Sequence, residues 1–539
     1  MSPAVRRELA LALLVATAAA LPYVGTLRFE PTYDDHEHVV HHPLLAEADA
    51  WRALTPTSYF ERAFPDQSRP LLVASLLVDR SLFGARWGLY HLQNILLHAL
   101  VAALAFLLVA RLGFGLVPAA LGALLFAVHP AATEAVASVS NREELLSAAA
   151  GLAALLLARS GLRDDPRWLA AAGLALGLAL LAKEVALAIP LLFFALALSP
   201  AWLGPAKVEP RRWAILAACA VAGAIPFAIV QIRLGFPALS VGSGGAPLGL
   251  SVLASMGADP SRWIDVPTVL AFAALRALLG WPLSAEQPTA WLRDPLSLAV
   301  GWTALALVVV VLVLAARSPS RARSAGGAAF AWFLVASAPT SAGPWLLNPI
   351  ADRYLYLPCL GVLAIVGAVL ASRRDAGPLV LALALALAAA RTGERTEVWR
   401  DDVALFEDAS HAAPDSARVW LNLGAAYLER HRADHACYAL ERAVALAPDR
   451  VAPHLNLALA YRQARRPARA LAPLERTLDL AITPSESALR DRAFALLIQT
   501  LVEIGREDEA RARVRDALVR EPDLDAARRW APPLGVARP

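Results

Sequence analysis

The chain has 539 residues, 58% of them apolar and 18% charged, against about 45–50% and about 25% in a soluble globular protein. That composition excludes a single soluble domain, and equally a disordered or fibrous chain. Fifty basic against 46 acidic residues leave a formal charge of +4, too even for a nucleic-acid partner, and no basic stripe with interleaved aromatics occurs. Cys219, Cys359 and Cys437 lie too far apart for a disulfide framework or a CxxC metal site. A polytopic membrane protein with a soluble part attached is expected.

In chain order, Leu9–Leu21 comes first; it lacks a small-residue cleavage site and many spans follow, so it is expected as a retained first helix. A spanning helix needs roughly 20 apolar residues. About eleven spans are predicted, at 8–25, 88–110, 115–129, 144–158, 168–182, 184–200, 213–233, 296–316, 326–343, 354–371 and 378–391. Basic residues in the short loops then fall on one side: Arg6 and Arg7, Arg111, Arg159 with Arg163 and Arg167, Lys207 with Arg211 and Arg212, Arg317 with Arg321 and Arg323, and Arg373 with Arg374. That side is predicted to be cytoplasmic. The opposite side receives the loops 26–69, 130–143, 234–263 and 344–353, and everything after the spans. Residues 264–281 are apolar enough to span, but counting them would move the Arg317–Arg323 cluster outside, so they are expected as a re-entrant or interfacial helix. The same holds for 70–83, which Asp79 and Arg80 interrupt.

After Arg391 charge recurs every few residues, so residues 1–391 are predicted as the membrane domain and 392–539 as a separate helical domain. Two stretches there align without a gap at a spacing of 34: Pro414 with Pro448, Leu421-Asn422-Leu423 with Leu455-Asn456-Leu457, Tyr427 with Tyr461 and Ala436 with Ala470. Thirty-four is the tetratricopeptide period, and WLNLGAAYLER at Trp420 resembles that repeat's first helix. A further unit is expected over 488–522 after an insertion of about six residues, and Trp399–Ala409 reads as the second helix of an incomplete leading repeat. The predicted result is a short α-solenoid whose concave groove takes a peptide or protein, or which only stiffens the domain or self-associates.

Four polar clusters face the predicted outer side. The first, Tyr33-Asp34-Asp35-His36-Glu37-His38 with His41 and His42, holds two adjacent carboxylates. One could take a proton from an acceptor hydroxyl while the other orients a partner, or both could be solvated loop or cap residues. The four histidines are a weak divalent-metal signal, since their spacing matches no ligand pattern. The second cluster is His129-Pro130, Thr133-Glu134 and Asn141-Arg142-Glu143-Glu144; Glu143 and Glu144 open an apolar helix, where acids are favoured without function. The third, Lys183-Glu184, interrupts apolar sequence from Trp168 to Pro200, as a short turn or as charges facing a polar cavity. The fourth runs from Asn348 to Pro358. Its Arg353 offers a planar fork suited to phosphate, or a simple ion pair with Asp352.

These segments resemble the GT-C-type membrane glycosyltransferases, and in particular the transmembrane-and-tetratricopeptide-repeat O-mannosyltransferases and their bacterial relatives. The resemblance rests on YDDHEHVV at 33–40, RPLL at 69–72, YHLQNILLHAL at 90–100, AVHPAATEAVASVSNREELL at 127–146, KEVALAIP at 183–190 and NPIADRYLYLPCLG at 348–361, followed by the repeats. It implies an all-α polytopic enzyme that passes a sugar, mannose by default, from a polyprenyl-phosphate donor to an acceptor on the noncytoplasmic side, with inversion. By that likeness Asp34 and Asp35 are the catalytic pair, Asp35 being chosen as the base. Arg142, Lys183 and Arg353 would meet the phosphate, and His129, Glu134 and Glu184 would orient acceptor or sugar hydroxyls. Protein hydroxyls are the expected acceptor, with a lipid or a glycan as open alternatives, and the repeat groove is expected to take the acceptor or a partner. The composition, rich in Ala, Leu and Arg, points to a bacterial source and hence an inner membrane, and the basic residues of the short loops put the N-terminus inside and the repeats outside. A catalytically inactive membrane-anchored scaffold and a lipid-linked substrate transporter are the competing functions; the transporter would need deep charges and an internal repeat of the membrane region.

Overall fold

The computed structural model describes residues 2–45, 59–60, 68–204, 207–234, 260–287, 292, 294–316, 321–339, 350–372, 377–481, 483 and 486–537. Arg317, Arg373, Arg374, the segment 344–349, residues 46–58 and 61–67 of the loop 26–69 and most of the loop 234–263 lie outside these residues. Every regular element among the described residues is helical. The chain divides into two compact units, Met1–Asp401 and Asp402–Pro539.

The first unit begins with α1 (Pro3–Ala20), α2 (Pro70–Phe83), α3 (Trp87–Ala110) and α4 (Leu116–Ala127), and α1 packs on α3 and α4. The short α5 (Thr133–Ala137) leads into α6 (Arg142–Arg163), α7 (Trp168–Ala182), α8 (Ile189–Leu196) and α9 (Pro210–Arg233). Helix α7 packs against both α6 and α9. A Cβ at Gly173 would stand 2.3 Å from the Cys219 carbonyl oxygen, so only glycine lets α7 and α9 approach this closely. Then come α10 (Val266–Leu279), α11 (Pro295–Ala316), α12 (Arg321–Ser337), α13 (Cys359–Ser372) and α14 (Gly377–Val398). Helix α13 lies along α4. Helix α14 runs through the composition change at Arg391, and the Thr392 hydroxyl donates to the Val128 carbonyl at 2.7 Å, which ties this stretch into the first unit.

Among the described residues, Pro3–Arg28, Trp87–Ala110, Arg142–Arg163 and Pro210–Arg233 are long and apolar enough to cross a membrane. A pair bent by 52°, Leu116–Ala127 with Pro130–Ala137, would be a fifth, and shorter apolar helices accompany them. The chain is therefore a helical membrane protein. The segment 184–200, expected as one span, is a 3₁₀ turn over Glu184–Ala188 followed by the 8-residue α8. Pro190 opens that helix and Pro200 the next turn, and eight residues reach only about 12 Å. Helix α10, within the expected interfacial segment 264–281, has 14 residues and a left-handed Gly280 cap at φ 62°. On the arginine-rich side, Arg212 donates to the Leu162 carbonyl at 3.1 Å near the end of α6, and Arg111 pairs with Glu8 at 2.5 Å.

The second unit holds α15 (Asp402–Ala412), α16 (Ala417–Glu429), α17 (Ala433–Leu446), α18 (Val451–Gln463), α19 (Pro467–Leu480), α20 (Ser487–Glu503), α21 (Glu507–Arg520) and α22 (Asp525–Trp530). Successive helices pack as neighbours from α15 to α22. The 34-residue period is structural in detail. Tyr427 donates to Glu407 and Tyr461 to Glu441, each at 2.7 Å. Trp420 donates to the Pro414 carbonyl at 2.7 Å, and His454 bonds that of Pro448 at 2.8 Å. His431 and Arg465 take the same left-handed turn, at φ 56° and 58°, and Gly505 takes it at φ 79° after the insertion. Ala436 and Ala470 are both fully buried, where a larger side chain would push the helices apart. Glu407 on α15 takes the bond from Tyr427 that Glu441 on α17 takes from Tyr461.

Candidate active site

A 3₁₀ turn over Leu21–Arg28 continues α1 into the first long loop. Tyr33 lies at φ 53°, a left-handed conformation uncommon for a tyrosine, and turns the chain sharply before Asp34 and Asp35. The adjacent carboxylates meet different surroundings. Asp35 is 1% exposed, and its Oδ1 accepts from the Ser140 amide at 2.7 Å and the Ser138 hydroxyl at 3.1 Å. Its Oδ2 accepts from the Thr32 amide at 3.3 Å. Asp35 thus staples the first loop to the 138–140 turn. Asp34 is half-buried and takes up no hydrogen bond among the described residues. Burial pushes its carboxyl up to about 6, with Asp35 and Glu134 adding to the rise and Arg353 and His38 opposing it.

His129 and Pro130 make the bend after α4. The His129 Nδ1 accepts from the Ala131 amide at 3.3 Å and so caps the turn Pro130–Ala132. One helical turn on, the buried Glu134 meets the 3₁₀ turn Asp352–Leu355. Its Oε2 accepts from the Arg353 amide at 2.9 Å, and its Oε1 pairs with the Arg353 guanidinium. Arg353 also lies over the Tyr354 ring at 5.3 Å and stays 17% exposed. Burial works against its charge, but Glu134 first, then Tyr354 and Asp34, hold it above its ordinary value. Asp352, the sequence neighbour, is not its partner. Asp352 pairs with Arg276 of α10 and lies 3.7 Å from Arg395 of α14.

Lys183 and Glu184 stand where α7 ends, Lys183 in extended backbone at φ −159°. The buried Lys183 ammonium donates to Glu144 at 2.5 Å and Glu143 at 3.2 Å. Burial works against this charge, but Glu144 and Glu143 hold the ammonium above its ordinary value. Glu143 also pairs with Arg69 at 2.9 Å, and Arg69 reaches Glu184 at 3.2 Å. Arg69 keeps 24% of its side chain exposed. Glu143 and Glu144 therefore do more than favour a helix N-terminus: they neutralise a lysine that would otherwise be a lone buried charge. Glu144 also lies within electrostatic reach of Arg353, which links this group to Asp34 and Glu134.

Arg142 sits apart in its chemistry. It is fully buried; its guanidinium pairs with Asp79 of α2 at 2.6 Å and donates to Asn94 Oδ1 at 2.7 Å and the Tyr90 carbonyl at 3.0 Å. These bonds lock α2, α3 and α6 together and leave it little capacity for a further anion. Asp79, read from the sequence as an interruption of 70–83, is the counter-charge. Arg69, Asp79, Arg276 and Arg395 went unassigned in the sequence. A lone charge inside an apolar stretch is the signal that could have found Asp79 and Arg276, because it demands a partner at that depth.

No group of three or more His, Cys, Asp or Glu that could hold a metal ion occurs among the described residues. His36 stacks on His41 with ring centroids 6.5 Å apart.

Fold and site together define a helical membrane protein in which the first loop, the 129–144 segment, the 183–184 break and the 352–355 turn converge. Residues 75–230 match the family described as dolichyl-phosphate-mannose-protein mannosyltransferase. The chain is similar to protein O-mannosyl-transferase F38B6.6 of Caenorhabditis elegans, 29% identical over 153 residues, or 27% of this chain and 22% of that protein. It is also similar to protein O-mannosyl-transferase TMTC3 of Mus musculus, 36% identical over 152 residues, or 26% of this chain and 16% of that protein. The matches thus span about a fifth of these relatives' length. The crystal structure of ArnT from Cupriavidus metallidurans bound to undecaprenyl phosphate is similar at 17% identity and a TM-score of 0.39, over 87% of this chain and 79% of that one. The matched family segment contains the YHLQNILLHAL, HPAATEAV…NREELL and KEVALAIP motifs, so the resemblance to O-mannosyltransferases holds over that stretch.

Proposed function

We propose that the protein is an integral membrane glycosyltransferase that moves a sugar, mannose by default, from a polyprenyl-phosphate donor to a hydroxyl acceptor on the noncytoplasmic side. The observation that carries this reading is the division of labour in the acidic pair: Asp35 is spent on Ser138, Ser140 and Thr32, while Asp34 faces Arg353 without a hydrogen bond among the described residues. The relatives' names and the matched family supply the substrate class. Asp34 is the general base, which reassigns the role from Asp35. A base that titrates near 6 is ionised at neutral pH and still holds a proton well.

In the proposed step Asp34 takes the acceptor hydroxyl proton as the oxygen bonds to the anomeric carbon. The bond from that carbon to the phosphate oxygen breaks on the opposite face, with inversion, and the lipid phosphate leaves with its electron pair. Arg353 and Arg69 keep exposed edges and are the cations suited to that developing charge. Lys183 supports them through Glu143 and Glu144, and Arg142 holds the scaffold. Glu134 and Glu184 aim Arg353 and Arg69, and His129 shapes the turn before Glu134. The repeat unit binds the acceptor, a protein or peptide, or a partner. The arginine distribution supports a cytoplasmic N-terminus and an exterior repeat unit in a bacterial inner membrane.

The test is transfer from a polyprenyl-phosphate mannose to hydroxyl-bearing peptides by the purified full chain. Asp34→Asn should lower the rate by about 10²–10⁴-fold with normal folding and insertion. Asp35→Asn should lower it through loss of the ordered loop, with weakened thermal stability. Full activity in Asp34→Asn overturns the assignment.

A further inference from the structure

Helix α10 is an apolar segment with one charge the proposed chemistry does not use, Arg276, which is 1% exposed. Its guanidinium is held at two points: Nε donates to the Pro282 carbonyl at 3.0 Å and Nη2 pairs with Asp352. The end of α10 also abuts the bend before Glu134. A Cβ at Gly280 would lie 2.4 Å from Pro130 Cγ, so glycine there lets the two segments touch. One helix end therefore meets both halves of the Glu134–Arg353 pair, next to Pro130 on one side and Asp352 on the other.

Asp352 needs cations, because an unpaired carboxylate at 2% exposure is costly. Arg353 is the nearest along the chain. With Arg276 occupying Oδ1 and Arg395 near Oδ2, Arg353 is left to Glu134 and Asp34. We infer that Arg276 is a positioning residue for the proposed transfer reaction: by occupying Asp352 it keeps Arg353 turned toward Glu134 and Asp34. This rests on the reading of Asp34 and Arg353 as working groups, though its structural half stands alone.

The charged groups facing Asp34 are Arg353, His38, Asp35 and Glu134. Arg276 is not among them; its charge is felt at Glu134. Removing Arg276 should thus reach Asp34 not directly but through the Glu134–Arg353 pair. If Arg353 swings to Asp352, the Asp34 carboxyl loses its main stabilising cation and titrates higher.

The test is an infrared titration of the full chain in detergent, following the carboxyl band that Asp34→Asn removes. Wild type should half-titrate near 6. Arg276→Gln should move that midpoint up by about one unit, and Arg276→Lys should fall between. If Arg276→Gln does not fold, Arg276→Lys carries the test with its smaller upward shift, and adding Asp352→Asn, which removes the competing carboxylate, should return the midpoint toward the wild-type value. A midpoint unchanged in the folded Arg276 single variants overturns the inference, since a purely structural role lowers yield without moving it. Transfer assays separate the two readings. If the titration shifts while Asp34→Asn retains transfer, the positioning device stands and the base assignment falls.

Discussion

In the repeat unit, Tyr427 meets Glu407 and Tyr461 meets Glu441, each across 20 residues of chain. In the membrane unit, Arg353 reaches Glu134 across 219 residues, and Asp35 reaches Ser138 and Ser140 across 103 and 105. The first kind of contact is local, repeated and set by period. The second joins segments with nothing in common except depth and charge. In the repeats each side chain is replaceable by its counterpart one period away. At the site no ion pair recurs elsewhere, and where a pair is fully buried, as Arg142 with Asp79, losing one member strands the other.

The largest effect should therefore come from Arg142. Replacing it with Met strands Asp79 without its ion pair, at a cost of about 3–5 kcal/mol. Arg142→Met should show a sharply lower thermal transition in detergent, and the double variant with Asp79→Asn should recover much of the loss. A single variant as stable as wild type would break the contrast between the units.

This contrast also explains what could be read before the structure. The 34-residue period was plain because Pro414, Tyr427 and Ala436 each recur in register, and their hydrogen bonds and buried positions recur with them. The apolar helices were legible from run length, although Pro190, Pro200 and the His129–Pro130 bend shorten or break elements read as continuous spans. The polar segments were visible too, because charges between apolar spans are conspicuous. Their pairings were not. Asp352 is adjacent to Arg353 in sequence yet turns to Arg276, and Glu143 at a helix start binds Lys183 and Arg69. Nothing in the spacing of these residues encodes which partner a fold will bring. Choosing between Asp34 and Asp35 likewise needed the Ser138–Ser140 turn, because the two are chemically identical.

A middle-sized effect sharpens the other side of the comparison. Ala470→Leu overfills a fully buried helix contact and should cost about 1–3 kcal/mol. Ala436→Leu, one period earlier, should cost a similar amount, since the same packing recurs. Hydrogen exchange across residues 402–537 of the full chain checks both. Sharply unequal losses would mean that the period is a sequence repeat without equivalent packing.

The effect confined to one pH window again separates the units. The Asp34 carboxyl titrates at about 6 in the folded chain against an ordinary 3.8. Between those values the folded state holds more proton than the unfolded one, so stability falls as pH rises through the window and levels off above it. Asp34→Asn removes this loss. Its thermal stability relative to wild type should rise from about pH 4 to about pH 6 and then stay constant. The exposed pairs of the repeat unit, such as Arg476 with Asp449 at 2.9 Å, should add no comparable slope, because solvent screens them. A variant that is more stable at neutral pH and unable to transfer sugar would identify Asp34 as a residue retained for chemistry at the expense of stability. A flat difference would mean that water or a counter-charge already relieves it, and the raised carboxyl would then no longer support a base at this site.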